Sequence, residues 1–366
     1  MKQFYLLDLI RGVAALLVVM GHLRSLMFES WNGGNLFKFI FYAITSLGHQ
    51  AVIVFFVLSG FFVGGSFLAD TRKDVIKYSI KRTSRFYTVL FPALFMTWIV
   101  DLIGINFSGA TELYSGNSPN YVLNYNVAER LGIDTFISNL FYFQDIFYPT
   151  YGSNGALWSL AYEFWFYLIF PAGYFLLYHS NKIYKIVSFL IVSLMLFFLG
   201  LKGLVYLFVW LIGVLVFILN SSVFEKAILN KYIYLMVPLI LMILYLSYIY
   251  NNLLSDFLLG TAFGLVLLIL INIKDFKNKF LKETSFFIAK ISFSMYAIHL
   301  PLIILVVAFV TKGEMLEFNF INFIFYILII SLVLLMSFVF WIFFESRTYL
   351  VGSYLNNFIE KWKGSK

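Results

Sequence analysis

Blocks of about twenty apolar residues recur from Phe4 to Trp341, and a chain patterned this way is built to fold in a lipid bilayer. The blocks fall at 4–23, 47–68, 86–104, 156–178, 186–201, 203–219, 232–250, 253–272, 289–310 and 320–344. Inside a bilayer each span must satisfy its own backbone hydrogen bonds, so runs of this length and composition are helices. The expected fold is therefore all-α, a polytopic membrane protein of about ten transmembrane helices. The fifth and sixth blocks are short and joined at Lys202 and Gly203, as in a tight hairpin. Two further apolar segments, 36–47 and 133–147, are too short to span; the first suits the interface or an extension of the second helix, and the second is similar or re-entrant.

Composition excludes the main alternative. Hydrophobic residues make up 62% and charged residues 12% of the chain, against about 25% charged in soluble domains. No polar stretch is long enough for an appended soluble domain. Residues 1–350 read as one membrane-embedded domain and 351–366 as a short cytoplasmic tail. The first block carries Asp8 and Arg11 and lacks a small-residue cleavage site, so it reads as a retained helix and not as a signal peptide. Cysteine is absent, which rules out a disulfide, a thiolate metal site and a cysteine nucleophile. No metal site is expected.

The basic residues set an orientation. With the N-terminus inside, 20 of the 26 Lys and Arg fall on the N-terminus, 69–85, 179–185, 220–231, 273–290 and the C-terminal tail. Arg24, Lys38, Arg130, Lys202 and Lys312 fall on the outer loops, and Arg11 lies within the first span. That bias is the positive-inside pattern, and it puts both termini in the cytoplasm. The net charge of +8 is then a topology signal and contact with anionic lipid, not a nucleic-acid footprint. The longest outer loop, about 105–155, is rich in Asn, Ser, Gly and Tyr, which suits a glycan-facing surface.

Ionisable groups inside a membrane are costly, and they mark function by default. On the first helix, Arg11 and His22 are separated by three turns plus roughly 20° of rotation, about 16 Å along the axis. Asp8 lies one turn below Arg11, so one stripe carries a carboxylate, a guanidinium and an imidazole. Position 18, rotated by about 40° from His22, is expected to face a path along that stripe. Glu163 sits among aromatics in WSLAYEFWFY, where a carboxylate must be paired, protonated or facing water. His299 lies in ISFSMYAIHLPL, just before Pro301. His49 and Asp101 lie near span ends and read as interfacial, as does His179. In FFVLSGFFVGG, Gly60 and Gly64 form a close-packing face, with Ser59 either helix glue or part of a site. Arg72, Lys73, Lys77, Lys81, Arg82 and Arg85 crowd one inner loop, as topology charge or as a clamp for a phosphorylated donor.

Taken together, LDLIRGVAALLVVMGH, AVIVFFVLSGFF, KRTSRFYTVLFP, WSLAYEFWFYLIFP and ISFSMYAIHLPL resemble the acyltransferase type 3 family of integral membrane proteins. The final FFESRTYL is similar to that family's terminal segment, with Glu345 in place but no following proline. The likeness runs from residue 5 to about 350. It implies an acyl group, usually acetyl, moved from a cytoplasmic coenzyme A thioester to a hydroxyl of an extracytoplasmic carbohydrate or lipid-linked glycan. By the same resemblance His22 is the catalytic histidine, with Arg11 its first-helix partner and Asp8 beside it. Arg82, Arg85 and Lys81 belong to the coenzyme A-binding region, with Ser59 a further candidate there. Glu163 and His299 match the family's later carboxylate and histidine. Membrane lipids, the coenzyme A thioester (acetyl-CoA first) and a glycan acceptor are the implied partners, in a bacterial cytoplasmic membrane.

Chemistry fits this assignment. A sugar hydroxyl needs a base within hydrogen-bond reach, and imidazole is the natural one near neutral pH. The sequence favours Glu163 as the carboxylate that orients His22, and leaves direct transfer and an acyl-histidine route both open. The rival reading is a transporter or flippase for a lipid-linked sugar, which accounts for the buried charges but not for the ordered motifs.

Overall fold

A computed structural model describes residues 4–118, 122–220, 241–273 and 276–364. The described residues form helices and short turns, with two isolated bridges and no strand. We number the helices α1 (Tyr5–Met27), α2 (Leu36–Thr45), α3 (Gly48–Ser59), α4 (Gly65–Ala69), α5 (Val75–Phe107), α6 (Thr111–Ser115) and α7 (Ile133–Leu140). There follow α8 (Trp158–Tyr178), α9 (Lys182–Asn220), α10 (Leu241–Tyr250), α11 (Leu253–Leu270), α12 (Lys279–Thr311), α13 (Phe320–Phe343) and α14 (Thr348–Gly364).

Among the described residues, 8 segments are long and apolar enough to cross a membrane. The difference from about ten has two sources. The fifth and sixth blocks are one stretch, α9, broken at Gly200, whose φ of 61° and ψ of −171° are open to glycine and strained for other residues. The break is two residues before the Lys202–Gly203 joint expected from sequence. The block at 232–250 lies outside the described residues up to 240, and its remainder is the apolar helix α10, too short to count as a span.

Two helices run past their apolar blocks. The third span begins at Val75, not 86, so Lys77, Lys81, Arg82 and Arg85 stand on a helix where the sequence suggested a loop. Polar residues at helical spacing extend a helix into water as readily as apolar ones extend it through lipid. Likewise α12 starts at Lys279, ten residues before its apolar run.

The chain divides into two compact units. One comprises Met1–Ala14, His49–Ser79 and Tyr162–Ala289. Within it, α9 and the segment from α3 to α4 meet backbone to backbone. A Cβ on Gly60 would collide with the Trp210 carbonyl oxygen, and one on Gly213 with that of Val57. Gly60–Gly64 is wound as a π-turn, and the close-packing role read from the two glycines is what the structure has. Gly64 and Gly65 lie against the Val214 and Phe217 side chains.

The second unit comprises Ala15–Gly48, Ile80–Ala161 and Lys290–Lys366. Its core joins α5, α12 and α13 through Val89, Ala93, Ala297, Ile298 and Phe340. Tyr326 of α13 donates its hydroxyl to the Met20 carbonyl at 2.9 Å, tying the upper part of α1 to α13. Val18 is 2% exposed, and its backbone lies against Gly48 at the start of α3.

Candidate active site

In the second unit, α1 and α12 bring His22 and His299 together: His22 Nδ1 lies 2.9 Å from His299 Nε2, with the ring planes within 8° of parallel. The remaining bonds fix the protons. His299 Nδ1 lies 2.8 Å from the Tyr296 carbonyl and 3.1 Å from that of Met295. A carbonyl only accepts, so Nδ1 of His299 carries the hydrogen and its Nε2 is an acceptor. Nδ1 of His22 therefore donates to it, and Nε2 of His22 keeps its lone pair. His299 is fully buried and His22 half-buried, so the interior imidazole orients the outer one. The ring bonded to His22 is thus an imidazole, in the place where the sequence argument favoured the Glu163 carboxylate.

Five residues before His299 on the same helix, about 7.5 Å along its axis, Ser294 belongs to an ionic cluster. Glu345 accepts from Arg85 at 3.0 Å through Oε1, and from the Ser294 hydroxyl and amide at 2.6 and 3.2 Å through Oε2. The Arg85 guanidinium also lies 5.1 Å from the Phe293 ring centroid. Arg82 is half-buried and Lys81 exposed on the same stretch of α5. Glu345, 8% exposed, is thus the acid that seats Arg85, a role its sequence motif did not reveal.

The first unit holds the other candidates, in three networks. Arg11 pairs with Asp8 at 3.3 Å, as the one-turn spacing implied, and donates to the Ala289 carbonyl at 3.2 Å. Ser59 receives the Trp210 indole N–H at 3.1 Å and lies 3.0 Å from the Tyr167 hydroxyl, which donates to Glu163 at 2.6 Å. Since indole only donates and Tyr167 gives its hydrogen to Glu163, the proton order runs Trp210, Ser59, Tyr167, Glu163 in one direction. Ser59 is thus a link to Glu163. Tyr167 follows Glu163 by four residues, a helical spacing visible in the sequence. His49 bonds Asp256 at 2.8 Å, and Tyr206 donates to the same carboxylate at 3.2 Å. Asp256, at the start of α11, carries no motif to announce it.

Asp101, near the end of its span, is fully buried, and Ser153 holds it by amide and hydroxyl at 2.8 and 2.6 Å. His179, by contrast, lies beside the turn before α9, accepting from the Asn181 amide at 3.1 Å. No group of three or more His, Cys, Asp or Glu stands together as a metal site among the described residues.

Among the described residues, helices of membrane-spanning length and composition thus hold an imidazole pair anchored on the α12 backbone. A family model described as an acyltransferase domain matches residues 4–342, and the chain belongs to this acyltransferase type 3 family. It is accordingly a transferase of acyl groups other than amino-acyl groups. No curated protein and no solved structure matches the chain.

Proposed function

We propose that this protein transfers an acyl group, acetyl first among them, from a cytoplasmic coenzyme A thioester to a hydroxyl of an extracytoplasmic carbohydrate or lipid-linked glycan. His22 Nε2 takes the hydroxyl proton, the oxygen attacks the thioester carbonyl carbon, and the carbon–sulfur bond breaks. The proton then passes from His22 to the leaving thiolate. The observation that carries this reading is the tautomer order from the α12 carbonyls through His299 to His22. It supplies a base already aligned, and an acceptor for the Nδ1–H of the imidazolium as it forms. Arg82 and Lys81 serve the donor's phosphates, with Arg85 shared between phosphate and Glu345. Arg11 is a further group for holding the donor, and Glu163 with Ser59 behind it serves as a second polar anchor. Both termini lie in the cytoplasm of a bacterial inner membrane.

Purified protein in lipid nanodiscs, given acetyl-CoA and a panel of glycan acceptors, should release free thiol in step with acetyl transfer. His22→Gln should lose roughly 10²–10⁴-fold in turnover, the usual contribution of a positioned acid–base group. Turnover within a few-fold of the parent would remove His22 from that role. Thiol release that does not depend on an acceptor would remove the glycan hydroxyl.

A further inference from the structure

Pro301 has no N–H, so the carbonyl four residues earlier, that of Ala297, loses the donor an α-helix would give it. Ala297 is fully buried, and an unpaired buried carbonyl is costly. The missing donor comes from outside α12: Asn154 Nδ2 lies 2.9 Å from the Ala297 carbonyl. The second hydrogen of the same amide goes to Thr97 Oγ1 at 3.1 Å, and Thr97 spends its own hydrogen on Ala93 at 2.8 Å. Both neighbours therefore accept, and turning the amide over would set oxygen against oxygen. The orientation of Asn154 is thereby assigned.

The turn that delivers Asn154 is built for this one placement. Gly152 has φ 52°, and a Cβ there would meet Asp101 Oδ2. Ser153 is clamped on Asp101, and Ser159, at the start of α8, bonds the Tyr296 hydroxyl at 2.7 Å. Residues 153–159 thus grip α12 at Tyr296 and Ala297, in the same helical turn whose Met295 and Tyr296 carbonyls receive the His299 proton.

We infer that Asn154 is a positioning residue for the histidine pair. It supplies the N–H that Pro301 withholds from Ala297, and so fixes the turn of α12 that holds His299 in the tautomer presenting an acceptor to His22. The consequence for turnover rests on the proposed role of His22 as base; the consequence for the rings does not.

The chain has 4 histidines, so ring-¹⁵N labelling of the nanodisc-embedded protein gives a spectrum simple enough to follow each tautomer. Asn154→Ala should lower kcat about tenfold, the effect of leaving one buried carbonyl unpaired. The Michaelis constants for donor and acceptor should stay within about twofold. The His22 and His299 ring signals should move from fixed tautomers to averaged ones. In a Pro301→Ala background, residue 301 again offers an N–H to Ala297, and Asn154→Ala should then cost less than about threefold. Equal losses in the two backgrounds, or unmoved ring signals, would overturn the inference. If Asn154→Ala does not fold, folding of the N154A/P301A double variant supports it and failure of both overturns it. Ring signals that average while turnover stays at the parent level would keep Asn154 in its place and remove His22 as the base.

Discussion

At the scale of single residues, the site turns on which nitrogen holds which hydrogen. Imidazole can orient imidazole only when the inner ring has its own fixed acceptor, and the α12 backbone provides it. A graded response at position 299 is expected. In His299→Gln, the amide oxygen can still accept from His22 Nδ1, whereas His299→Leu leaves that hydrogen without a partner in a buried place. Turnover should therefore fall in both, with Gln retaining about tenfold more than Leu, roughly the worth of one buried hydrogen bond. Equal activities measured by thiol release would show that His299 fills space and does not orient. The other residues singled out by their cost in a membrane are also bonded, Asp8 with Arg11 and Glu163 with Tyr167. A rule about expense finds such residues without saying who their partners are.

At the scale of elements, the basic run on α5 is the point where topology charge and the proposed donor binding overlap. Arg85 is engaged by Glu345, so removing it should do two things: take a guanidinium from the proposed donor site and leave a buried carboxylate short of one hydrogen bond. Arg82→Ala and Arg85→Ala should therefore differ. The first should raise the donor Michaelis constant by about tenfold, from the loss of one charge-assisted contact of about 1.5–3 kcal/mol diluted by solvent. The second should also lower the thermal midpoint in detergent, and Arg85→Lys should restore the midpoint better than the Michaelis constant, since an ammonium lacks the planar fork. Identical behaviour of the two variants would leave Arg85 without its dual role.

Sequence made the spans legible because bilayer thickness imposes a length on them, and the match at α13, Phe320–Phe343 against 320–344, is nearly to the residue. It could not show where α5 and α12 begin, because helix outside the membrane leaves no apolar trace. Of the candidate residues, His22, His299, Arg11 and Glu163 were visible as polar residues out of place. Their neighbours were not, since Ser153, Asn154 and Ser294 are ordinary residues whose worth depends on contacts more than 50 positions away in the chain for Ser153 and Ser294, and farther for Asn154.

At the scale of the whole molecule, orientation is the property on which the proposed chemistry depends, because a charged thioester cannot cross a bilayer to reach an acceptor outside. The chain lacks cysteine, so single cysteines report their side cleanly. Asn117 lies after α6, in the loop that the basic-residue pattern puts outside, Thr71 in the turn before α5 and Ser353 on α14, all three exposed. With a membrane-impermeant maleimide on intact cells, Asn117→Cys should label fully. Thr71→Cys and Ser353→Cys should label only after permeabilisation. The reverse pattern would invert the protein and leave a cytoplasmic donor without access to the α5 cluster.

The bond from Asn154 to Ala297 also links two positions in heredity. A proline at 301 creates an unmet carbonyl, and an asparagine at 154 meets it, so neither residue keeps its value once the other is gone. Among relatives, the two sites should drift as a couple: a lineage that replaces the proline frees its turn residue to vary, and one that loses the asparagine comes under pressure to shed the proline.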